Sequence, residues 1–114
     1  MKYVVVVSYG IDGAKQEHRR MCSSLEDLKI EFESNLRYLT IKTDKQQINY
    51  ISHTQNRQFA MGRIIDEVVF KVDEFVVLAE NKALYIELLM RVLRQVNTIP
   101  AAFSYAGSLI EKSE

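Results

Sequence analysis

The sequence predicts a single α/β domain over residues 1–114, with a mixed β-sheet, flanking helices and the element order β-α-β-β-β-β-α-β. Residues 3–7 form a β-branched run typical of strands that are buried on both faces, and a helical pattern follows directly. Near the other end, a β-rich stretch over residues 64–72 precedes a long amphipathic pattern over residues 82–96. Strands that precede helices at both ends are typical of βαβ crossovers, so part of the sheet is expected to be parallel.

Composition and charge exclude several classes of protein. Among 114 residues there are 15 Lys and Arg and 15 Asp and Glu, and this neutral balance argues against a polybasic binder of nucleic acid or lipid. Cys22 is the only cysteine, which excludes a disulfide framework and a zinc site built from several cysteines. The apolar run at residues 3–7 is too short for a signal peptide or a membrane span. We therefore expect a soluble, cytoplasmic protein that has no membrane partner.

The first helix is predicted from residue spacing. Asp12 can cap a helix over residues 13–22. Spacings of four, three and one place the following residues on one buried face: Ala14, His18, Met21 and Cys22. Arg19 and Arg20 are expected to point to water.

The middle third is predicted to form an antiparallel meander. Ser23 and Glu26 have the spacing of a capping box, which would start a second helix. Apolar residues then alternate with charged ones at Leu28, Ile30 and Phe32. This alternation favours a strand that begins at residue 28. Residues 36–43 and 47–53 are rich in β-formers and supply two further strands.

The last third returns to the α/β pattern. We predict an interior strand over residues 66–72 and a helix over residues 82–96 that Asn81 caps. A short strand over residues 101–105 and a frayed or helical tail over residues 108–114 follow. A functional crevice is expected beyond the carboxyl ends of the parallel strands, at residues 8–13, 72–75 and 104–107.

Three successive stretches cover residues 3–106: VVVVSYGIDGAKQEHRRM, LTIKTDKQQINYISHTQNRQFAMGRIIDEVVFKVDEF and ALYIELLMRVLRQVNTIPAAFSYAGS. In order and pattern they resemble part of a P-loop ATPase core of the phage large-terminase and helicase type. The resemblance implies that residues 66–72 correspond to the Walker B strand. The carboxylates of that strand bind Mg²⁺ and position the water that attacks the γ-phosphate. The resemblance also implies parallel pairing of this strand with residues 3–8. We expect the protein to be encoded by a phage or mobile element.

The chain departs from this pattern at the residues that carry the chemistry. No Gly-rich loop ending in Gly-Lys-Ser/Thr is present, so the phosphate cradle and its lysine are missing. Lys71 stands where the first Walker B acid is expected, and Asp73 and Glu74 follow two residues late. The resemblance therefore implies a truncated, degenerate relative that keeps the sheet without ATP hydrolysis. The same order of elements also arises in unrelated α/β domains.

Four residues are the candidate ligand-binding residues: Arg57, Arg63, Asp73 and Glu74. Arginine forks bind phosphate or carboxylate groups, and Arg19 and Arg20 can join the other two arginines beside Gly62. Paired carboxylates can bind Mg²⁺, but adjacent residues of a strand point to opposite faces, so a partner from another segment is needed. Scattered surface charge and solvation of a strand end explain the same residues without a ligand.

No complete catalytic or metal-binding constellation is present in the sequence. His18 and Cys22 are four residues apart on one helical face, which gives two ligands where a zinc site needs more. We therefore predict no catalytic residue, no metal and no cofactor. Surfaces that bind single-stranded nucleic acid combine basic residues with aromatic ones, and the meander shows this pattern faintly. The residues are Arg37, Tyr38, Lys42, Lys45, Tyr50 and Arg57.

The function favoured by the sequence alone is that of a small non-catalytic interaction module that acts by binding another protein, or a second copy of itself. A domain of this size offers one surface of the standard kind, about 800 Å² per partner. The alternative is a nucleotide- or nucleic-acid-binding domain related to a degenerate P-loop ATPase. The two differ in the roles they give to Asp73, Glu74 and Arg63.

Overall fold

A five-stranded mixed sheet lies at the centre of the protein, and the computed structural model describes it within residues 1–94. The strands in chain order are β1 (Lys2–Ser8), β2 (Glu33–Asn35), β3 (Thr40–Lys42), β4 (Gln46–Ser52) and β5 (Glu67–Phe70). Their order across the sheet is β2-β3-β4-β1-β5. Strand β1 pairs in parallel with both β4 and β5, whereas β2, β3 and β4 pair antiparallel. The predicted α/β class, mixed sheet and meander are confirmed.

Helices cover both faces of this sheet. They are α1 (Gly10–Asp27), α2 (Glu74–Glu80) and α3 (Lys82–Arg94), together with a 3₁₀ turn at Arg57–Phe59. No helix in this part of the chain is both long and apolar enough to cross a membrane.

Two apolar clusters lie on opposite faces of β1, because successive side chains of a strand alternate in direction. Val4 and Val6 pack with α1, and Val5 and Val7 pack with α2 and α3. All four valines are buried, which confirms a strand that is covered on both sides. This β-branched run thus holds the two helical layers to one sheet.

Helix α1 is longer than predicted and begins earlier. Tyr9 occupies the N-cap position without a side-chain capping bond, and Asp12 lies in the first turn, so the prediction that Asp12 caps the helix is wrong. The predicted buried face is confirmed by Ala14 and His18, which are buried. Leu25 continues the same stripe into the core, which explains why the helix extends past residue 22.

The predicted strand from residue 28 is wrong. The chain leaves α1 through Lys29, which adopts a left-handed conformation with φ 57°. The N–H of Lys29 donates to the Glu26 carbonyl, and that of Ile30 donates to the Leu25 carbonyl. The buried face of α1 continues to Leu25, and this helical pattern prevails over the alternation of apolar and charged residues that follows it. The strand forms only at β2.

The predicted strand over residues 36–43 is reduced to β3. The Asn35 side-chain oxygen accepts the N–H groups of Arg37 and Tyr38 at 2.9 and 3.0 Å, which forms a tight turn. Leu39 then adopts φ 51° before the strand begins. Local side-chain bonding to the backbone thus replaces strand pairing over these residues.

The second half of the described chain confirms the strand predicted at 66–72, in the shorter form of β5, and the helix that follows Asn81. The Asn81 side-chain oxygen accepts the N–H of Leu84 at 3.4 Å, as expected of a cap. Helix α2 was not predicted, because its sequence EFVVLAE is short and partly β-branched. The predicted strand at 101–105 and tail at 108–114 lie outside the described residues.

Candidate functional site

One face of the meander is left open by the helices. The apolar cluster under α2 and α3 includes Val5, Val7 and Ile51, which lie on β1 and at the end of β4. Two residues at the start of β4, Gln47 and Asn49, point to the same face and are only half-buried. Two hollows are open over these amide side chains.

The larger hollow lies near the carboxyl end of β4 and has a volume of about 450 Å³. Its side chains come from the β2–β3 turn, from β3 and β4, from the start of α1, from the 3₁₀ turn and from the loops on either side of that turn. They include Ile11, Arg37, Tyr38, Gln55, Phe59 and Arg63. It therefore combines two cations with aromatic and amide groups.

The smaller hollow, about 290 Å³, lies between β1, β4 and the loop over residues 62–65. It shares Gln47, Asn49 and Arg63 with the larger one. The two hollows are therefore neighbouring parts of one depression along β4. We call this depression, with both sets of lining residues, the sheet-face groove.

The charge of the sheet-face groove is one-sided. No Asp or Glu from residues 1–94 lines either hollow, although the chain has as many acidic as basic residues. Four acidic side chains line a separate hollow between the end of α1, the β2–β3 hairpin and the β3–β4 turn, and they are Glu26, Glu31, Glu33 and Asp44. A neutral protein thus carries a local cationic surface.

Arg63 is held in position by its neighbours. Its Nε donates to the Phe59 carbonyl at 2.6 Å, and its guanidinium carbon lies 4.0 Å from the centre of the Phe59 ring. Within residues 1–94 it makes no ion pair, unlike Arg20 and Arg91, which pair with Glu17 and Glu87 on their own helices. Its two terminal nitrogens can therefore bind an anion at little cost in side-chain entropy.

Arg37 and Tyr38 form the opposite wall. The turn that Asn35 closes presents both side chains to solvent, and Tyr38 is 66% exposed. The guanidinium carbon of Arg37 lies 5.6 Å from the centre of this ring. A cation beside an exposed aromatic face is suited to a ligand that has both negative charge and flat rings.

At residues 8–13, one of the three places where a crevice was predicted, a side chain from the end of β4 fills the space beside the backbone. His53 follows β4 and is 4% exposed. The Gly10 N–H donates to its Nδ1 at 3.0 Å, its Nε2 lies 2.6 Å from Oε2 of Glu80, and Tyr9 stacks on its ring. Sequence reasoning missed this cluster, because the only signal was a histidine placed directly after a strand.

The predicted site residues are not gathered in one place. Arg63 lines the sheet-face groove, whereas Arg57 begins the 3₁₀ turn and lines a separate hollow with Glu80. Asp73 caps α2 by accepting the Phe75 N–H at 2.9 Å, and Glu74 accepts the Tyr85 hydroxyl at 3.1 Å. Neither acid lines the groove.

The predicted gathering of Arg19 and Arg20 with the other arginines is wrong. Arg20 lies on α1, where it pairs with Glu17 at 2.9 Å, and α1 packs on the face of the sheet opposite the groove. Residue spacing alone does not reveal on which face a helix packs, and this explains the error.

The His18 and Cys22 pair belongs to the core. Nε2 of His18 lies 3.1 Å from the Thr40 carbonyl, and its ring meets Tyr50 edge-on. Burial raises the pKa of the Cys22 thiol. Among residues 1–94 no group of three or more His, Cys, Asp or Glu side chains is arranged to hold a metal ion.

Comparison of the chain with protein-family models, curated proteins and solved structures finds no match.

Proposed function

We propose that the protein is a non-catalytic module that binds single-stranded nucleic acid along the sheet-face groove. The observation that carries this proposal is a depression lined by two arginines that form no ion pair within residues 1–94, and by no acidic side chain of that part of the chain. Arginine binds phosphate oxygens in a bidentate manner, so Arg37 and Arg63 supply the backbone contacts. Tyr38 supplies an exposed ring on which a base can stack.

The dimensions fit a short stretch of single strand. Strand β4 has seven residues, and at about 3.3 Å per residue the groove beside it runs for roughly 20 Å. Proteins with such sheet surfaces bind a few nucleotides per domain, typically about 4 or more. The groove therefore accommodates a segment of that size.

The shape favours a single strand over a duplex. Proteins read duplex DNA by inserting a helix or a β-ribbon into its major groove. The sheet-face groove is concave, and its residues lie at the bottom and walls of a depression. Bases that are unstacked and splayed out can enter such a surface, whereas paired bases cannot.

The test is fluorescence anisotropy of a labelled single-stranded dodecamer of mixed sequence, titrated between about 25 and 200 mM salt. Binding is expected to weaken with salt, because phosphate contacts release counterions. In the double variant Arg37→Ala, Arg63→Ala the slope of log K against log salt should fall by about 1.4, since each phosphate contact on a single strand contributes about 0.7.

The matched control is Arg19→Ala, Arg20→Ala, which removes the same charge from α1 on the opposite face. It should leave both the affinity and the slope unchanged. Equal loss in the two double variants would show that net charge alone drives association, and it would overturn the proposal. Absence of binding by the unaltered protein at low salt would do the same. Thermal melting of each variant checks that the fold is intact.

Protein binding, which the sequence alone favours, is the second candidate function, with a second copy of the chain as the partner. Two observations favour it. Ile11 and Tyr38, 53% and 66% exposed, line the same hollow, as apolar anchors of an interface do. In addition, the acid-lined hollow and the cationic groove lie on different parts of one molecule, so in a two-fold symmetric dimer the groove of each copy can contact the acids of the other.

Sedimentation velocity at low and high salt tests self-association. A dimer that dissociates with salt, and that is lost in Arg37→Ala, Arg63→Ala, supports this second candidate. A monomer at every salt and protein concentration excludes it. If both ligands use the groove, the oligonucleotide will dissociate the dimer, and the two functions will compete.

A further inference from the structure

The smaller hollow of the sheet-face groove has the features of a nucleobase pocket. Its floor is formed by Tyr3 on β1 and by the amide side chains of Gln47 and Asn49 on β4. These residues are brought together by the parallel register, in which Tyr3 lies beside Gln47 and Val5 beside Asn49. The loop over residues 62–65 forms its roof.

The two amides hold each other in a defined orientation. Nε2 of Gln47 donates to Oδ1 of Asn49 at 3.4 Å. This bond leaves one carbonyl oxygen, Oε1 of Gln47, and one amide group, Nδ2 of Asn49, without a partner in the described structure. The pair therefore presents one acceptor and one donor to the hollow. Exchange of the oxygen and nitrogen of both amides would still leave one of each.

We propose that this hollow takes one unstacked base of the bound strand and that the Gln47–Asn49 pair selects adenine. The inference rests on the proposed function. Asn and Gln side chains recognise adenine by accepting from its N6 amino group and donating to its N7. In a single strand this edge of the base is free, so one acceptor and one donor side by side can read it.

The roof of the hollow suits a flat ligand. Gly62 adopts φ 76° and has no side chain to narrow the entrance. Ile64, two residues after Gly62 in the loop, is 62% exposed and can cover one side of an inserted ring. Arg63 lies between the two hollows, where it can bind the phosphate that follows the base.

The experiment compares dodecamers of dA, dC and dT, and a dA dodecamer in which every adenine is 7-deazaadenine. The last probe removes the N7 acceptor and keeps the stacking surface and the charge. We expect the unaltered protein to prefer the dA strand over its 7-deaza analogue by roughly 10-fold, the discrimination typical of one good bidentate pair. The variants are Asn49→Ala and Gln47→Ala, and the control is Gln46→Ala on the same strand.

Loss of the preference for dA in Asn49→Ala and Gln47→Ala, with the salt slope unchanged and Gln46→Ala normal, supports the inference. Equal affinity of the unaltered protein for dA and its 7-deaza analogue overturns it, as does a preference that survives in Asn49→Ala. These outcomes leave the proposed function intact, because it requires only salt-dependent binding. Absence of binding to every strand overturns both.

Discussion

His53 Nε2 and Glu80 Oε2 lie 2.6 Å apart and join the carboxyl end of β4 to the end of α2. The other ring nitrogen, Nδ1, accepts the Gly10 N–H, so the proton of the neutral ring is on Nε2 and is donated to Glu80. Tyr9 stacks on the same ring, with 4.7 Å between the ring centres. One buried imidazole thus connects three segments at the edge where β1 and β4 end.

The first prediction concerns this imidazole. Replacement of His53 by Leu removes the bond to Glu80 and leaves the Gly10 N–H without its partner. We expect the free energy of unfolding to fall by about 2 kcal/mol, the usual range for hydrogen bonds that involve a charged group. Urea titration followed by circular dichroism measures the loss.

Glu80→Gln is the matched control for His53→Leu. A glutamine oxygen can still accept the Nε2 proton, so only the charge is lost and the cost should be at most about 1 kcal/mol. If Glu80→Gln lowered the free energy of unfolding as much as His53→Leu, the charge of the Glu80 carboxylate would matter more than the two hydrogen bonds of the His53 ring.

The second prediction concerns Tyr50, which is 4% exposed and whose hydroxyl has no hydrogen-bond partner within the described structure. Removal of an unsatisfied buried hydroxyl relieves a desolvation cost. We therefore expect Tyr50→Phe to unfold at the same or a higher urea concentration than the unaltered protein at neutral pH. A loss of more than about 1 kcal/mol would mean that the hydroxyl has a partner in solution.

Tyr50 also predicts the response of stability to alkaline pH. Burial raises the pKa of its hydroxyl above the usual value. The unfolded chain loses this proton near pH 10, while the folded protein keeps it. The stability that the protonated Tyr50 hydroxyl gives the folded protein is therefore complete below about pH 10, and it is lost as the pH rises further. The loss should reach about 1.4 kcal/mol per pH unit and should be absent from Tyr50→Phe. Comparing the two proteins cancels the titration of lysines and other tyrosines.

The third prediction separates the structural role of Asp73 from the magnesium role that the P-loop resemblance implies. Asp73→Ala removes the cap of α2 and should lower stability by about 1 kcal/mol. Asn caps helices as well as Asp does, so Asp73→Asn should leave stability nearly unchanged while it removes the carboxylate. We expect Mg²⁺-ATP to give the same shift in melting temperature with Asp73→Asn as with the unaltered protein. A smaller shift in that variant would assign Asp73 to a nucleotide site.

The fold was predictable where a pattern extends over many residues. The β-branched run of β1 and the stripe of α3 each repeat an apolar spacing long enough to decide the element. Helix α2 was missed because seven residues give barely two turns, and two of them are the β-branched Val76 and Val77. The turn over residues 36–39, where a strand was predicted, was missed because one side chain, bonded to two backbone groups, decides it.

The candidate site was predictable only in part. Arg63 attracted attention through its position beside Gly62, and the structure places it in the groove. Gln47 and Asn49 gave no signal, since amide side chains are common on half-buried strands and their importance depends on the register between β1 and β4. Contacts between residues more than 40 positions apart follow from the topology of the whole sheet, which local spacing does not encode.

The fourth prediction compares two glycines at the start of α1. Gly10 adopts φ 69°, and a Cβ built on it meets no atom within 4 Å, so the cost of Gly10→Ala comes from the backbone alone. An L-residue in the left-handed region is less stable by about 1 kcal/mol, and any shift of the backbone would also weaken the bond from the Gly10 N–H to His53.

Gly13 lies within the helix, and a Cβ there would touch the Ser8 Cβ at 3.4 Å. Alanine is the better helix former by about 0.5–1 kcal/mol, so Gly13→Ala should be neutral or stabilising. Urea titration should therefore show a loss of stability in Gly10→Ala and no loss in Gly13→Ala, and a stabilising Gly10→Ala would show that the turn from β1 into α1 has another conformation in solution.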